Sequence, residues 1–174
     1  MIRIVTPEQF VDAFDAVVRR REKELRKLWW EPRKYTMNFL APQVGVLPQV
    51  ASDLGLKYRR EIGRVDAMFY QPVNGVRAVS IAVEHEQSAE GARREAWTLS
   101  LLNVPLKVLV TYPEPGDEDE VLDSYATVLE ATDIFHDFDT LKRQVVVFGF
   151  GDRGIEWHYY VNSRSGFVPL KVTP

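Results

Sequence analysis

Apolar residues near the N-terminus recur at the spacing of an α-helix. Phe10, Phe14 and Leu25 fall on one stripe, which is typical of a helix that packs one face against a protein core. Thr6 is a favourable N-cap because a proline follows it at the first helical position. The pattern therefore predicts one long helix over residues 7–30, with basic residues on its opposite face.

The middle of the chain changes to shorter patterns. Residues 31–46 combine aromatic side chains with prolines and a glycine, which predicts irregular structure. Residues 47–55 predict a short helix that ends at Gly55. Asn74 and Gly75 are a strong hairpin signal. The residues around them predict three strands, over residues 56–62, 64–71 and 76–86.

The second half of the chain alternates between helical and strand patterns. A helix over residues 89–102 precedes an almost wholly apolar strand over residues 106–112, so we expect a crossover between parallel strands. A further helix starts at Asp117. Strands over residues 144–150 and 155–161 then predict a C-terminal β-hairpin. Residues 1–174 are thus predicted to form a single α/β domain with a mixed central β-sheet flanked by helices.

The composition is that of an ordinary folded protein. Hydrophobic residues make up 45% of the 174 residues and charged residues 27%, which is near the average for globular domains. The chain contains no cysteine, so disulfides, thiolate nucleophiles and cysteine-based zinc sites are excluded and a cytoplasmic location is expected. The sequence has no signal-peptide core and no apolar run of roughly 18 residues, so we expect no membrane role.

Charge is unevenly distributed, although the net charge is only −3. Residues 19–27 are mostly basic and residues 114–123 mostly acidic. Both runs are compatible with solvated helix surfaces, and acidic side chains in a first helical turn are favoured by the helix dipole. The basic run is equally compatible with phosphate binding, so charge alone leaves nucleic-acid binding open.

Residues 149–154 match the pattern G-x-G-x-x-G of dinucleotide-binding loops. Such a loop requires the last glycine to open a helix whose N-terminus holds the pyrophosphate. Here the bulky aromatic residues Trp157, Tyr159 and Tyr160 follow instead. Residues of this type favour a strand, so the motif predicts a hairpin turn.

Two glutamates end the third predicted strand. Side chains alternate along a strand, so Glu84 and Glu86 project to one face and His85 to the other. The preceding residues on the glutamate face, Ala82 and Ser80, are small and leave room for a ligand. Two like charges this close repel, and a proton or a cation relieves the repulsion. Mg²⁺ is the natural cation because it prefers carboxylate and water oxygens.

Asp66 supplies a third acid on a neighbouring strand. A hairpin through Asn74 and Gly75 places this strand beside the strand that carries Glu84, so we expect the carboxylates to converge. Alternatively, Asp66 pairs with Arg64 or another arginine, and the two glutamates mark the solvated end of a strand. The two interpretations differ in whether a metal ion binds.

The segments GRVDAMFY (residues 63–70) and SIAVEHEQS (residues 80–88) resemble motifs of the PD-(D/E)xK nuclease superfamily, which includes many restriction endonucleases. The predicted order of helix, strand with Asp, turn, strand ending in Glu-x-Glu, helix and strand is similar to the core of that family. The resemblance implies a restriction endonuclease-like core in which Asp66, Glu84 and the backbone carbonyl of His85 bind Mg²⁺ or Mn²⁺. Glu86 takes the position usually held by lysine, so it would act as a base or bind a second ion.

The resemblance also implies roles for residues outside the two motifs. Lys107 or Arg93 could replace the missing lysine, although Lys107 is equally suited to snorkel from a strand end. Glu61 is a further candidate metal ligand, and Glu24, in preference to Glu22, could join the metal site from the first helix. Phosphate contacts are expected from four arginines: Arg59, Arg60, Arg64 and Arg93.

Three interpretations of function remain open from the sequence. In the first, the protein is an Mg²⁺-dependent nuclease that hydrolyses phosphodiesters, with DNA as the favoured substrate. In the second, it keeps the nuclease fold without cleavage and binds nucleic acid or protein. In the third, the fold is different and the acids only imitate the motif. Trp29 and Trp30, with Tyr35, could stack on bases or pack against the core, and the two tryptophans could also form a homodimer interface.

Overall fold

The computed structural model describes residues 3–132, 143–151, 154–163 and 166–173. The helices in these ranges are α1 (Pro7–Arg20), α2 (Glu22–Leu28), α3 (Pro32–Leu40), α4 (Val46–Asp53), α5 (Ala89–Ser100) and α6 (Glu118–Thr132). The strands are β1 (Lys57–Ile62), β2 (Val65–Val73), β3 (Val76–His85), β4 (Leu106–Thr111), β5 (Arg143–Phe150), β6 (Glu156–Ser163) and β7 (Gly166–Pro169). None of the helices in these ranges has the length and apolar character needed to cross a lipid bilayer.

The N-terminal third departs from the predicted helices. The expected long helix is divided at Arg21 into α1 and α2, and the guanidinium of Arg21 hydrogen-bonds Asn38 at the far end of α3 over 2.8 Å. The prediction of irregular structure before α4 is wrong, because α3 occupies most of that segment. Pro32 stands in the first turn of α3, where proline is tolerated, and Tyr35 and Phe39 are buried on one side of the helix.

The strands form one sheet in the order β1-β2-β3-β4-β5-β6-β7. β4 runs parallel to β3 and to β5, and the other neighbours are antiparallel. This mixed sheet confirms the predicted α/β class. Asn74 and Gly75 both have positive φ and form the β2–β3 turn, as the hairpin signal predicted. β7 is an additional strand, too short for its pattern to have indicated it.

The glycine motif lies between β5 and β6. These strands pair antiparallel, with Phe150 opposite Glu156, so the segment joins a hairpin and opens no helix. Asp152 and Arg153 of the predicted turn lie outside the described residues.

Each face of the sheet is covered by a different set of helices. Helices α1–α4 pack on what we call the N-terminal face, with core residues such as Phe14 and Val83. Helices α5 and α6 pack on the crossover face, with core residues such as Ala82 and Ala96. Because side chains alternate along β3, Glu84 is directed to the crossover face and His85 to the N-terminal face.

Candidate carboxylate site

Asp66 and Glu84 face each other across β2 and β3. The two strands pair with Ala67 opposite Val83, and the two acids are the next residues along. The backbone amide of Asp66 donates to Oε2 of Glu84 over 3.1 Å. In return, the amide of His85 donates to Oδ2 of Asp66 over 2.9 Å. The structure therefore brings these two predicted residues together, each accepting a hydrogen bond from the strand opposite.

Burial makes this pair costly to ionise. Glu84 is only 2% exposed, and its Oε1 atom has no hydrogen-bond partner within the described part of the chain. Burial and the charge of Asp66 raise the pKa of Glu84 to about 8. Burial also raises the pKa of Asp66, although the amide of His85 opposes the rise. A site of this kind favours a bound proton or a bound cation.

Glu86 lies just beyond β3, where α5 begins. Its Oε1 atom accepts a hydrogen bond from the backbone amide of Ser88 over 3.1 Å. A Cβ atom at Gly91 would lie 3.1 Å from the carboxyl carbon of Glu86, so the glycine gives this side chain room against the first turn of α5. After burial, the charge of Glu86 contributes to the raised pKa of Asp66. The three predicted acids therefore form one electrostatic cluster.

Glu95 on α5 is a fourth acid, which the sequence motifs did not include. After burial and the charge of Asp66, the charge of Glu95 contributes to the raised pKa of Glu84. The side chain of Glu95 is 17% exposed and stands next to the buried residues Ala92 and Ala96 of the same helix. A charged residue beside an apolar helical stripe was the signal available in the sequence.

Lys107, the predicted substitute for the missing lysine, is buried on β4. It pairs with Ala82 in the β3–β4 ladder, two residues before Glu84 along β3. Its Nζ atom donates to the backbone carbonyl of Ser100 over 3.2 Å, at the C-terminus of α5, where positive charge is favoured. Because Glu86 lies at the other end of α5, this hydrogen bond directs the ammonium group away from Glu86.

Glu24 and Glu61, the predicted additional metal ligands, contact other side chains. Glu24 accepts a hydrogen bond from Asn38 over 2.5 Å. The side chain of Glu61 is 66% exposed and pairs with Arg60 over 2.6 Å. Among the residues that the structure describes, no three His, Cys, Asp or Glu side chains are placed to share one metal ion. The structure therefore assembles the opposed pair and not the larger predicted ligand set.

The four arginines predicted to bind phosphate differ in exposure. Arg60 is half-buried on β1, and its positive charge partly offsets the rise in the pKa of Asp66 that burial causes. Arg64 is exposed in the β1–β2 turn, two residues before Asp66. Arg59 on β1 and Arg93 on α5 are also exposed. The turn that carries Arg64 is thus the nearest exposed positive charge along the chain to the opposed pair.

On the N-terminal face, the side chain of His85 enters an aromatic cluster. Its Nε2 atom lies 2.7 Å from the hydroxyl of Tyr112, and burial lowers its pKa to about 4, so the ring is neutral near neutral pH. Trp29 packs edge-on against Tyr35 and Tyr112, with ring centroids 5.4 Å apart in each pair. Trp29 therefore packs within the protein, whereas Trp30 is 78% exposed.

No protein-family model matches the chain, and a search of curated proteins finds no match. The similarity to PD-(D/E)xK nucleases therefore stays a prediction from the sequence.

Proposed function

We propose that this protein is a metal-dependent phosphodiesterase that hydrolyses nucleic acid, and DNA in particular. The observation that carries the proposal is the buried pair of Asp66 and Glu84. The Oε1 atom of Glu84 has no hydrogen-bond partner in the described ranges. Such a pair is stable when a proton or a cation neutralises it. The resemblance of residues 63–70 and 80–88 to the motifs of PD-(D/E)xK nucleases, which is a prediction from the sequence, supplies the reaction class.

The donor set fits a hard divalent cation. Carboxylate oxygens of Asp66 and Glu84, with the backbone carbonyl of His85, would hold Mg²⁺ or Mn²⁺. Two protein carboxylates are enough for Mg²⁺, which is usually bound through one or two of them and keeps several waters. When bound, the ion would supply Lewis-acid stabilisation of the negative charge that develops on the scissile phosphate.

The residues around the pair have separate tasks in this proposal. Glu86, oriented by the amide of Ser88, would accept the proton of the attacking water. Arg60 would favour the ionised form of Asp66. The exposed side chains of Arg64 and Arg93 would bind phosphates that flank the scissile one.

The test is cleavage of supercoiled, linear and single-stranded DNA, and of RNA, by the purified protein with Mg²⁺ or Mn²⁺. We expect cleavage that EDTA abolishes. Asp66→Asn and Glu84→Gln should each reduce the rate by on the order of 100-fold or more, because charge stabilisation by a metal is worth several kcal/mol. The matched control is Glu130→Gln, which removes one charge at an exposed position of α6.

Cleavage that survives both substitutions would contradict the proposal, since it would come from a contaminant or from another site. The same conclusion follows if the protein leaves all four substrates intact. Loss of cleavage in Glu130→Gln as well would show that the assay responds to net charge and not to the opposed pair.

A second function is favoured by the position of Lys107. The proposed site has a glutamate where the family usually has lysine, and Lys107 is bonded at the far end of α5. A nuclease-fold protein without cleavage would bind nucleic acid or protein at this surface. In that case Asp66→Ala and Glu84→Ala would leave nucleic-acid binding unchanged or tighten it, because each removes a negative charge that repels phosphate.

A further inference from the structure

A cavity of about 150 Å³ lies beside the end of β3. Its lining is four aromatic residues and one amide: Trp29, Trp30, Tyr35, Tyr112 and Gln87. An aromatic lining with a single amide is suited to a flat, partly polar ring, because the aromatic faces stack and the amide hydrogen-bonds an edge.

Two glycines allow two of the cavity's aromatic rings to lie close against the backbone. A Cβ atom at Gly151 would overlap the indole ring of Trp29, and one at Gly149 would lie 2.7 Å from the ring of Tyr112. The rings therefore lie directly against the backbone at the end of β5. Tyr112 is held further by its hydrogen bond to His85. Trp29 and Tyr112, fixed in this way, lose little conformational freedom when a ligand binds.

Gln87 gives the cavity one oriented polar atom. Its amide nitrogen donates to the carbonyl of Pro32 over 2.6 Å and to the hydroxyl of Thr36 over 2.9 Å. Both donor hydrogens are thereby used on α3, and the side-chain oxygen is the acceptor that Gln87 can present to a ligand. Thymine and uracil carry a ring N–H that such an acceptor can bind, and cytosine carries an amino group.

The cavity and the carboxylates lie at the same strand end, on opposite faces of the sheet. Gln87 directly follows Glu86. His85 connects the two sites, because its amide donates to Asp66 and its ring contacts Tyr112. A single nucleic-acid strand crossing the end of β3 would thus reach the carboxylates with its backbone and the cavity with a base.

We propose that this cavity binds one unpaired pyrimidine base of the nucleic acid whose phosphodiester lies at the carboxylates, so this inference rests on the function proposed above. A cavity of about 150 Å³ matches one benzene-sized ring, so we expect it to bind a pyrimidine in preference to a purine. The exposed indole of Trp30 supplies the outer stacking surface. Paired bases are excluded because their hydrogen-bonding edges are occupied.

The test is fluorescence anisotropy with labelled single-stranded decamers in EDTA. The three decamers contain only thymine, only adenine, or no bases at all on the same sugar-phosphate backbone. We expect the thymine decamer to bind more tightly than the other two. Trp30→Ala should weaken binding of the thymine decamer by about 5- to 150-fold, the range for losing one stacked base, and should leave binding of the abasic decamer unchanged. Trp30→Phe should restore the preference.

The matched control is Trp97→Ala, which removes a second tryptophan that is 51% exposed on α5. Equal binding of the thymine and abasic decamers by the unsubstituted protein would overturn the proposal, as would an equal loss in Trp97→Ala. Equal binding of the adenine decamer would overturn the pyrimidine assignment.

The use of EDTA separates this proposal from the hydrolase proposal. A protein that cleaves DNA with Mg²⁺ but does not distinguish the decamers would overturn the base pocket alone. Base-dependent binding by a protein that cleaves nothing would support the pocket and overturn the hydrolase proposal alone.

Discussion

The backbone amide of His85 lies 2.9 Å from a carboxylate oxygen of Asp66, and this hydrogen bond joins the last residue of β3 to the start of β2. The ring of His85 projects to the opposite face of the sheet and hydrogen-bonds Tyr112. One residue therefore contacts the carboxylate pair through its backbone and the aromatic cluster through its side chain. We therefore expect substitutions in the aromatic cluster to change the properties of the carboxylate pair, and the reverse.

We expect Glu84→Gln to stabilise the protein at alkaline pH. The pKa of Glu84 is raised from 4.5 to about 8, chiefly by burial and then by the charge of Asp66. Between these values the folded protein holds a proton that the unfolded chain releases, so stability falls as pH rises. At about pH 8.5 nearly all of this stabilising contribution is lost, so the variant should exceed the unsubstituted protein by about 3–5 kcal/mol, or roughly 6–20 °C in Tm.

Thermal denaturation at about pH 5 and about pH 8.5 in EDTA checks this pH dependence. At the lower pH the two proteins should have nearly equal Tm, because Glu84 is then protonated in the folded state. Glu130→Gln is the control for loss of an exposed carboxylate. A Tm advantage of Glu84→Gln that is the same at both pH values would contradict the proposed titration.

Mn²⁺ should raise the Tm of the unsubstituted protein and have no effect on Asp66→Asn or Glu84→Gln. A ligand at ten times its Kd stabilises the folded state by about 1.4 kcal/mol, which is roughly 3–6 °C for a domain of this size. The shift should be larger at about pH 8.5 than at about pH 6, because protons compete for Glu84. An equal shift in all three proteins would place the bound ion elsewhere.

Tyr112→Phe should destabilise the protein by about 1–3 kcal/mol, because it leaves the buried Nε2 atom of His85 without its hydrogen bond. Urea denaturation gives the free energy of unfolding directly. Tyr70→Phe is the matched control, since Tyr70 lies on β2 at a half-buried position beneath Arg77. Similar values for the two substitutions would mean that the hydroxyl of Tyr112 contributes nothing specific.

Gly151→Ala should lower the free energy of unfolding by about 1–3 kcal/mol or more, because the added methyl group overlaps the ring of Trp29. Gly154→Ala is the control, since a Cβ atom there would meet no atom within 4 Å. Urea denaturation of both variants measures the difference. The same Gly151→Ala protein should also lose its preference for the thymine decamer, because Trp29 forms a wall of the cavity. A stable Gly151→Ala protein would show that the indole ring can move.

The opposed acids were predictable because two local signals agree. Alternation along β3 fixed the face of Glu84, and the Asn74-Gly75 turn fixed which strand lies beside it. The division at Arg21 was not predictable, because buried residues continue at helical spacing through both helices. The prolines in residues 31–46 predicted irregular structure, although proline is equally favourable in a first helical turn, where Pro32 lies.

The wider site was harder to predict because its members are distant in sequence. Glu95 enters the cluster through the packing of α5 on the sheet, and no motif includes it. The cavity combines residues of the α2–α3 region with Gln87 and Tyr112, and only the tertiary fold brings them together. Gly149 and Gly151 are the one local indication of the cavity, since a glycine in or beside a strand often marks a close approach by another group.

The strands lie beside one another in the order in which they occur in the chain. Because the strand order never reverses, the described sheet has no topological switch point. In doubly wound α/β proteins the ligand binds in the crevice at such a point. The proposed site is therefore made from side chains at a strand end and not from a gap that the topology provides. The proposed chemistry and its specificity therefore depend on the side chains of residues 84–87 and of the elements packed beside that strand end, and substitutions there can change function while the architecture stays the same.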